Sequence, residues 1–325
     1  MNGKFKIVLV SDIHYACELE RQRKDFEDRG VPNPFLRPIA KMYRHFVWLR
    51  DPLNHYDKFY RFLEKSPDAD FCIALGDYTC DTAYVGISDD LTFASAKECI
   101  DKLRGKYANF KGLIGDHELG KLSLFGGVGG LRLASYKRAV EELKLEPYWK
   151  FYIGNYVLIG ITSTVVAMPI FKVEALETEV HGWMTLHQEH ICKICSFFEE
   201  IDGDKKIILF CHDPSALSIL GDLPVIQRRF DRIEMTIIGH LHSNAVFKAS
   251  EYFAGMPQIS FLGHTPRRLS KAMQKARVWK HFKVRLCPSL SGIQLFKDGG
   301  FCELTLSLNG NVPADLQFHH LPWHE

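Results

Sequence analysis

The sequence predicts an α/β fold, and three observations carry that prediction. Five short apolar runs (Ile7 to Val10, Phe71 to Leu75, Leu113-Ile114, Ile207 to Phe210 and Ile237-Ile238) each lead into polar residues of metal-ligand type. Open α/β sheets carry their ligands at such strand ends. Between the runs lie segments with apolar residues at helical spacing, such as Phe93, Ala96, Ile100 and Leu103. Near the end, Leu304, Leu306 and Leu308 alternate with Thr305 and Ser307, Asn309-Gly310 supplies a turn, and Leu316 to Phe318 returns as the second arm of a hairpin.

The chain has 325 residues, 46% hydrophobic and 25% charged, enough for a sizeable core. No repeat, linker or low-complexity segment interrupts it. The expectation is one domain over 1–325, with a helical insertion at about 17–66 and a C-terminal β-hairpin at about 300–320. A net charge of +2 announces neither a nucleic-acid nor a membrane partner. Nine cysteines, an odd number with Cys72 and Cys211 inside apolar runs, suit a reducing compartment. Met1 to Lys4 lead directly into the first strand, with no room for a signal peptide, and no apolar run approaches about 18 residues. The predicted location is cytoplasmic, with no membrane span.

In chain order, the first strand runs into Ser11-Asp12-Ile13-His14. Ala16 to Gly30, dense in mixed charge from Glu18, Glu20, Arg21, Arg23, Lys24, Asp25, Glu27 and Asp28, reads as a solvated helix face. Val31-Pro32-Asn33-Pro34 breaks it. Ile39, Met42, Tyr43, Phe46 and Leu49 then recur at helical spacing, which predicts core or cap packing, while Arg44, His45, Arg50 and His55 make the segment basic. A second helix around Tyr56 to Lys65 returns to the strand that ends in Gly76-Asp77. This connection is about sixty residues, long for a βα unit, and reads as an insertion over one rim of the site.

The helix through Phe93 precedes Leu113-Ile114 and Gly115-Asp116-His117-Glu118. Phe125-Gly126-Gly127-Val128-Gly129-Gly130 lacks the P-loop Lys-Ser/Thr and the G-x-G-x-x-G register, so it reads as a lid or hinge. A helix over Leu131 to Lys144 and a strand over Tyr156 to Ile161 follow. Trp183, Leu186, His190, Ile191, Ile194 and Phe198 trace a further amphipathic helix, on which His187 and His190 read as partly buried histidines. Cys192-x-x-Cys195 has no second such pair and reads as core packing. Two more strands end in Cys211-His212-Asp213 and Gly239-His240-Leu241-His242, and Ile259 to Leu262 predicts a short strand. From Arg267 to Arg285 there are eight basic residues and no acidic one, either a solvated face or a seat for an anionic substrate.

Carboxylates and histidines gathered at one sheet edge can bind two divalent ions, provided one carboxylate bridges them. The set is Asp12-x-His14, Gly76-Asp77-x-x-Asp81, Gly115-Asp116-His117-Glu118, His212 and Gly239-His240-x-His242. That order resembles the signature of calcineurin-like metallophosphoesterases, D-x-H, G-D-x-x-D, G-N-H-E, H and G-H-x-H. The resemblance implies two mixed β-sheets packed as a sandwich flanked by helices, and a metal-dependent phosphodiesterase or phosphatase. It implies that Asp12, His14, Asp77 and His242 hold one ion and Asp77, Asp116, His212 and His240 the other, with Asp77 bridging. Manganese, iron, zinc or nickel would fill such a centre, where a shared water is ionised to attack phosphorus in line. By the same resemblance His117 protonates the leaving oxygen and Asp81 orients it.

One departure stands out. Asp116 occupies the position where the family has Asn. A carboxylate ligates such cations at least as well as an amide oxygen, while its extra charge tightens the second ion and repels an anionic substrate somewhat. The expected substrate is a small phosphodiester, a nucleotide or a phosphoprotein. A metal-dependent nuclease using Arg267–Arg285 is the alternative enzyme. A non-catalytic interaction scaffold is disfavoured because His117 and all seven ligand positions hold competent residues.

Overall fold

The computed structural model of the protein describes residues 3–23, 30–49, 53, 56–80, 83–123, 127–255, 274 and 276–322. Among them, ten strands form two five-stranded sheets. The first has the order β10-β9-β1-β2-β3, from β1 (Lys4–Val10), β2 (Phe71–Ala74), β3 (Phe110–Gly112), β9 (Gly300–Ser307) and β10 (Asp315–His320). The second has the order β4-β5-β6-β7-β8, from β4 (Tyr148–Ile153), β5 (Tyr156–Ile161), β6 (Lys206–Cys211), β7 (Ile233–Ile238) and β8 (Val284–Leu286). β1, β2 and β3 are parallel and β9 antiparallel to β1; β5 to β8 are parallel and β4 is antiparallel to β5. Both sheets are therefore mixed.

Alternation along the strands divides the core into layers. Ile7, Leu9, Ile73 and Leu304 of one sheet meet Trp149, Leu158, Phe210 and Ile237 of the other, so the sheets pack face to face. Val8, Val10, Cys72 and Ala74 point the opposite way, onto the helices Tyr56–Lys65 (through Phe59 and Phe62) and Asp90–Lys106 (through Ala96, Ile100 and Leu103). Val157, Ile159 and Leu209 likewise meet Ile194 and Phe198 of the helix Val180–Glu199. Each fully buried side chain of this kind stabilises the fold by about 1.5–3 kcal/mol relative to exposure. The result is a sandwich with helices on both outer faces.

Several sequence readings need correction. In the charged stretch Ala16 to Gly30, a helix spans Glu18–Arg21, and Glu20 is buried rather than solvated. Its carboxylate accepts hydrogen bonds from Ser95 Oγ at 2.5 Å and Cys80 Sγ at 3.2 Å, and burial pushes its pKa up. In the helix α1 (Arg37–Phe46), Ile39, Met42 and Phe46 face solvent, and Ala40 is the residue that docks. Helical spacing shows that residues share a face but not what that face meets. Cys192 is exposed and Cys195 half-buried, so only the latter packs against the core. The strands β4 and β8 had no counterpart in the sequence reading. Lys24, Asp25, Glu27, Asp28, Arg50, His55, Phe125-Gly126, Ile259 to Leu262, Arg267, Arg268, Lys271 and Lys275 lie outside the described residues. No helix among the described residues is long and apolar enough to cross a membrane.

Candidate metal centre

Five parallel strands, β1, β2, β3, β6 and β7, run out towards one edge, and sharp turns follow them. Asp12, His14, Asp77, His240 and His242 have φ between 49° and 60°. They make up five of the eight non-glycine residues with positive φ among those described. A left-handed conformation costs a side-chain-bearing residue about 1–3 kcal/mol, and persists where the surroundings enforce it. Its concentration here means that these turns are held to aim side chains. Two glycines permit the crowding: a Cβ at Gly115 would collide with the Asp77 carboxylate, and one at Gly239 with the Ser11 hydroxyl.

The seven predicted ligand positions converge. Asp12, His14 and His242 form one set and Asp77, Asp116, His212 and His240 another, each offering one ligand-type atom per residue within 4.8 Å of the rest. Asp77 also groups with His14 and His117, and so stands between the two sets. All are buried except His240, which is partly exposed.

The first set is open to an ion. Asp12 Oδ1 lies 3.4 Å from His242 Nε2 and 3.9 Å from His14 Nε2. Asp12 Oδ1 and His14 Nε2 are buried without a hydrogen-bond partner. Buried polar atoms are nearly always paired, so atoms of complementary type left facing one another fit a cation between them. His14 Nδ1 donates to Thr79 O at 3.0 Å, which leaves the Nε2 lone pair directed into the set. Burial holds the His242 imidazole down to about 3, neutral as a ligand must be.

The second set is internally paired. His212 Nε2 lies 3.1 Å from both Asp77 Oδ2 and Asp116 Oδ1, and His240 Nδ1 lies 3.1 Å from the same Asp116 oxygen. Burial opposes charge on these imidazoles, but the carboxylates outweigh it. Asp77 and Asp116 hold His212 well above its ordinary value, and Asp213 and Asp116 raise His240 to about 9. His212 Nδ1 donates to Leu75 O at 3.0 Å, which fixes the ring.

His117 Nδ1 donates to Cys80 O at 2.9 Å, and its Nε2 lies 3.7 Å from Asp77 Oδ2. Burial, helped by the ammonium of Lys121 that touches Nε2, lowers its pKa to about 4. Asp81 lies outside the described residues.

Sequence reasoning assigned no role to four supporting residues. Glu118 Oε2 accepts the backbone N–H of Asp77 and of Gly115 at 2.9 Å, and Oε1 those of Tyr78 at 2.8 Å and Thr79 at 3.2 Å, locking two ligand turns together. Burial and the Asp77 charge push this carboxyl up to about 8 against those donors. Asp213 Oδ2 stands 3.6 Å from His240 Nε2. The Trp48 ring lies 4.7 Å from that of His242, a contact between remote segments that no local pattern signals. Lys121 lies just beyond the end of the helix Asp116–Leu119 and reaches back to His117 Nε2.

A family model for calcineurin-like phosphoesterases matches residues 5–244. Among solved structures, the chain is similar to a phosphopantetheinyl hydrolase from Mycobacterium tuberculosis, with 13% sequence identity and a TM-score of 0.36 over 74% of this chain and 84% of that one. No curated protein gives a significant match. The family match takes in every strand end that carries a ligand-type residue, from Asp12 to His242, and on that ground the chain belongs to the calcineurin-like phosphoesterase family.

Proposed function

We propose that the protein hydrolyses phosphoester bonds with two divalent cations, one held by Asp12, His14, Asp77 and His242, the other by Asp77, Asp116, His212 and His240. The observation that carries this reading is the pair of buried, unpartnered atoms Asp12 Oδ1 and His14 Nε2, set beside a second cluster of ligand type that shares Asp77 as neighbour. Two cations so placed supply the charge that ionises an attacking water and neutralises the phosphoryl oxygens.

The chain's own residues do the rest. His117, steered by Cys80 O, presents Nε2 to the leaving oxygen as general acid. Lys121 beside it disfavours the imidazolium in the free protein. A phosphate seated against Lys121 offsets that ammonium and so favours the proton on His117, against the burial that opposes it. Asp81 would add a carboxylate to this relay. Asp116 places one more negative charge at the substrate's edge than an amide would, which favours esters of lower charge. The nine free cysteines support a reducing, cytoplasmic setting, and 1–325 is taken as one domain.

The test is a panel of aryl phosphodiesters and monoesters offered to metal-stripped protein reloaded with Mn²⁺, Fe²⁺, Zn²⁺ or Ni²⁺. Turnover with at least one metal is expected, and His117→Ala should lower kcat by about 10²–10⁴-fold. Metal-loaded protein inert towards every ester would restore the scaffold reading.

A further inference from the structure

The helix α1 turns an apolar face to solvent. Ile39, Met42 and Phe46 are 55%, 62% and 61% exposed, and Phe35 just before the helix is 85% exposed. Residues three, four and seven apart share one side of a helix, so these form a stripe. The adjoining side carries Arg37, Lys41, Arg44 and His45, and no acidic residue occurs from Gly30 to Leu49. The patch continues onto Leu295 and Phe296, 60% and 47% exposed. Leu295 N donates to Val47 O at 3.2 Å and Gln294 N to Trp48 O at 2.7 Å, so the two segments are tied into one rim. Trp48, packed on His242, places that rim beside the metal centre.

A stripe of large apolar side chains on a helix that carries basic and no acidic residues matches one surface chemistry closely. Anionic headgroups attract the basic flank while the apolar face enters the headgroup boundary. A second copy of the chain fits less well, because a two-fold interface would bring the same basic flanks together. We propose that α1, with Leu295 and Phe296, docks the protein peripherally on an anionic lipid bilayer and sets the rim of the metal centre against the headgroup layer. Docking itself does not depend on the hydrolase reading.

The experiment is co-sedimentation of the full chain with vesicles of phosphatidylcholine alone or mixed with phosphatidylglycerol. Binding is expected to the mixed vesicles, about tenfold or more stronger than to the neutral ones, and weaker at high salt. The combined Ile39→Ser, Met42→Ser and Phe46→Ser variant should lose about tenfold or more of that binding while turning over a soluble aryl ester as the parent does. Lys41→Glu, a surface change that spares the fold, should weaken binding mainly at low salt. Asp77→Asn should bind vesicles like the parent, which separates docking from catalysis. Absence of binding to both vesicles, unchanged binding by the triple variant, or a dimer in solution that the triple variant dissolves would each overturn the proposal, the last in favour of a second copy on this face.

Discussion

Asp12, His14 and His242 meet with ligand atoms to spare, whereas Asp116, His212 and His240 are already paired with one another. The residue types are the same and the charges are not. In the first set one carboxylate faces two imidazoles, and burial keeps His242 neutral. In the second set Asp116 and Asp77 bracket His212, Asp116 also holds His240, and both imidazoles favour the protonated state. A cation entering the first set fills a gap, while one entering the second displaces protons and ion pairs. Three carboxylates make the difference: Asp77 with Asp116 at His212, and Asp213 with Asp116 at His240. An amide at position 116 would accept the same hydrogen bonds without its share of that charge.

That comparison breaks most completely at Asp77, the bridge in the proposed centre. Asp77→Asn should cost kcat/KM more than about a hundredfold and strip both cations together, read by turnover and elemental analysis. Glu118→Ala tests whether the halves are held by one frame. It leaves backbone donors of both ligand turns unsatisfied, at about 1–3 kcal/mol for each buried group, so the melting temperature should fall and the affinity for both cations with it. If only one half weakens, the shared frame is wrong. Asp116→Asn sharpens the contrast by removing the one carboxylate that acts on both imidazoles. Two cations should remain, rate and ester preference should change, and loading of the second should release fewer protons, read by calorimetry in buffers of different ionisation enthalpy. Loss of all metal binding would show that position 116 was assigned wrongly.

The smallest effect lies outside the centre. His190 is a buried imidazole whose Nδ1 donates to Leu186 O and whose Nε2 has no hydrogen-bond partner among the described residues, and burial lowers its pKa to about 4. Its folded value lies below the unfolded one, so the unfolded chain takes the proton first and stability is lost as pH falls from about 6.5 towards 4. The loss attributable to this residue approaches about 3 kcal/mol. His190→Phe should flatten that part of the pH–stability curve in denaturant melts. An unchanged curve would show that the acid sensitivity comes from elsewhere, the metal cluster included.

Much of this was legible in the chain because polar residues punctuate the strand ends. Asp12, Asp77, Asp116, His212 and His240 each close an apolar run, and the same local pattern that marks a strand also marks the ligand after it. β4 and β8 were not legible for the opposite reason: β8 is three residues within a basic run, and neither strand ends in a residue of that type. Helical spacing marks α1 as a helix and predicts core or cap packing for its stripe, but periodicity is blind to what lies opposite, and the stripe faces solvent. Local charge is equally blind to the buried site of Glu20, which Ser95 and Cys80 make from remote parts of the chain. Trp48 and Asp213 gain their places from contacts across the sandwich edge.

If Asp77 joins two cation sites into a single centre, elemental analysis of the purified chain and of Asp77→Asn under identical loading will find two divalent cations per chain in the parent and fewer than one in the variant. No stoichiometric metal in the parent, or two cations retained by Asp77→Asn, would contradict it.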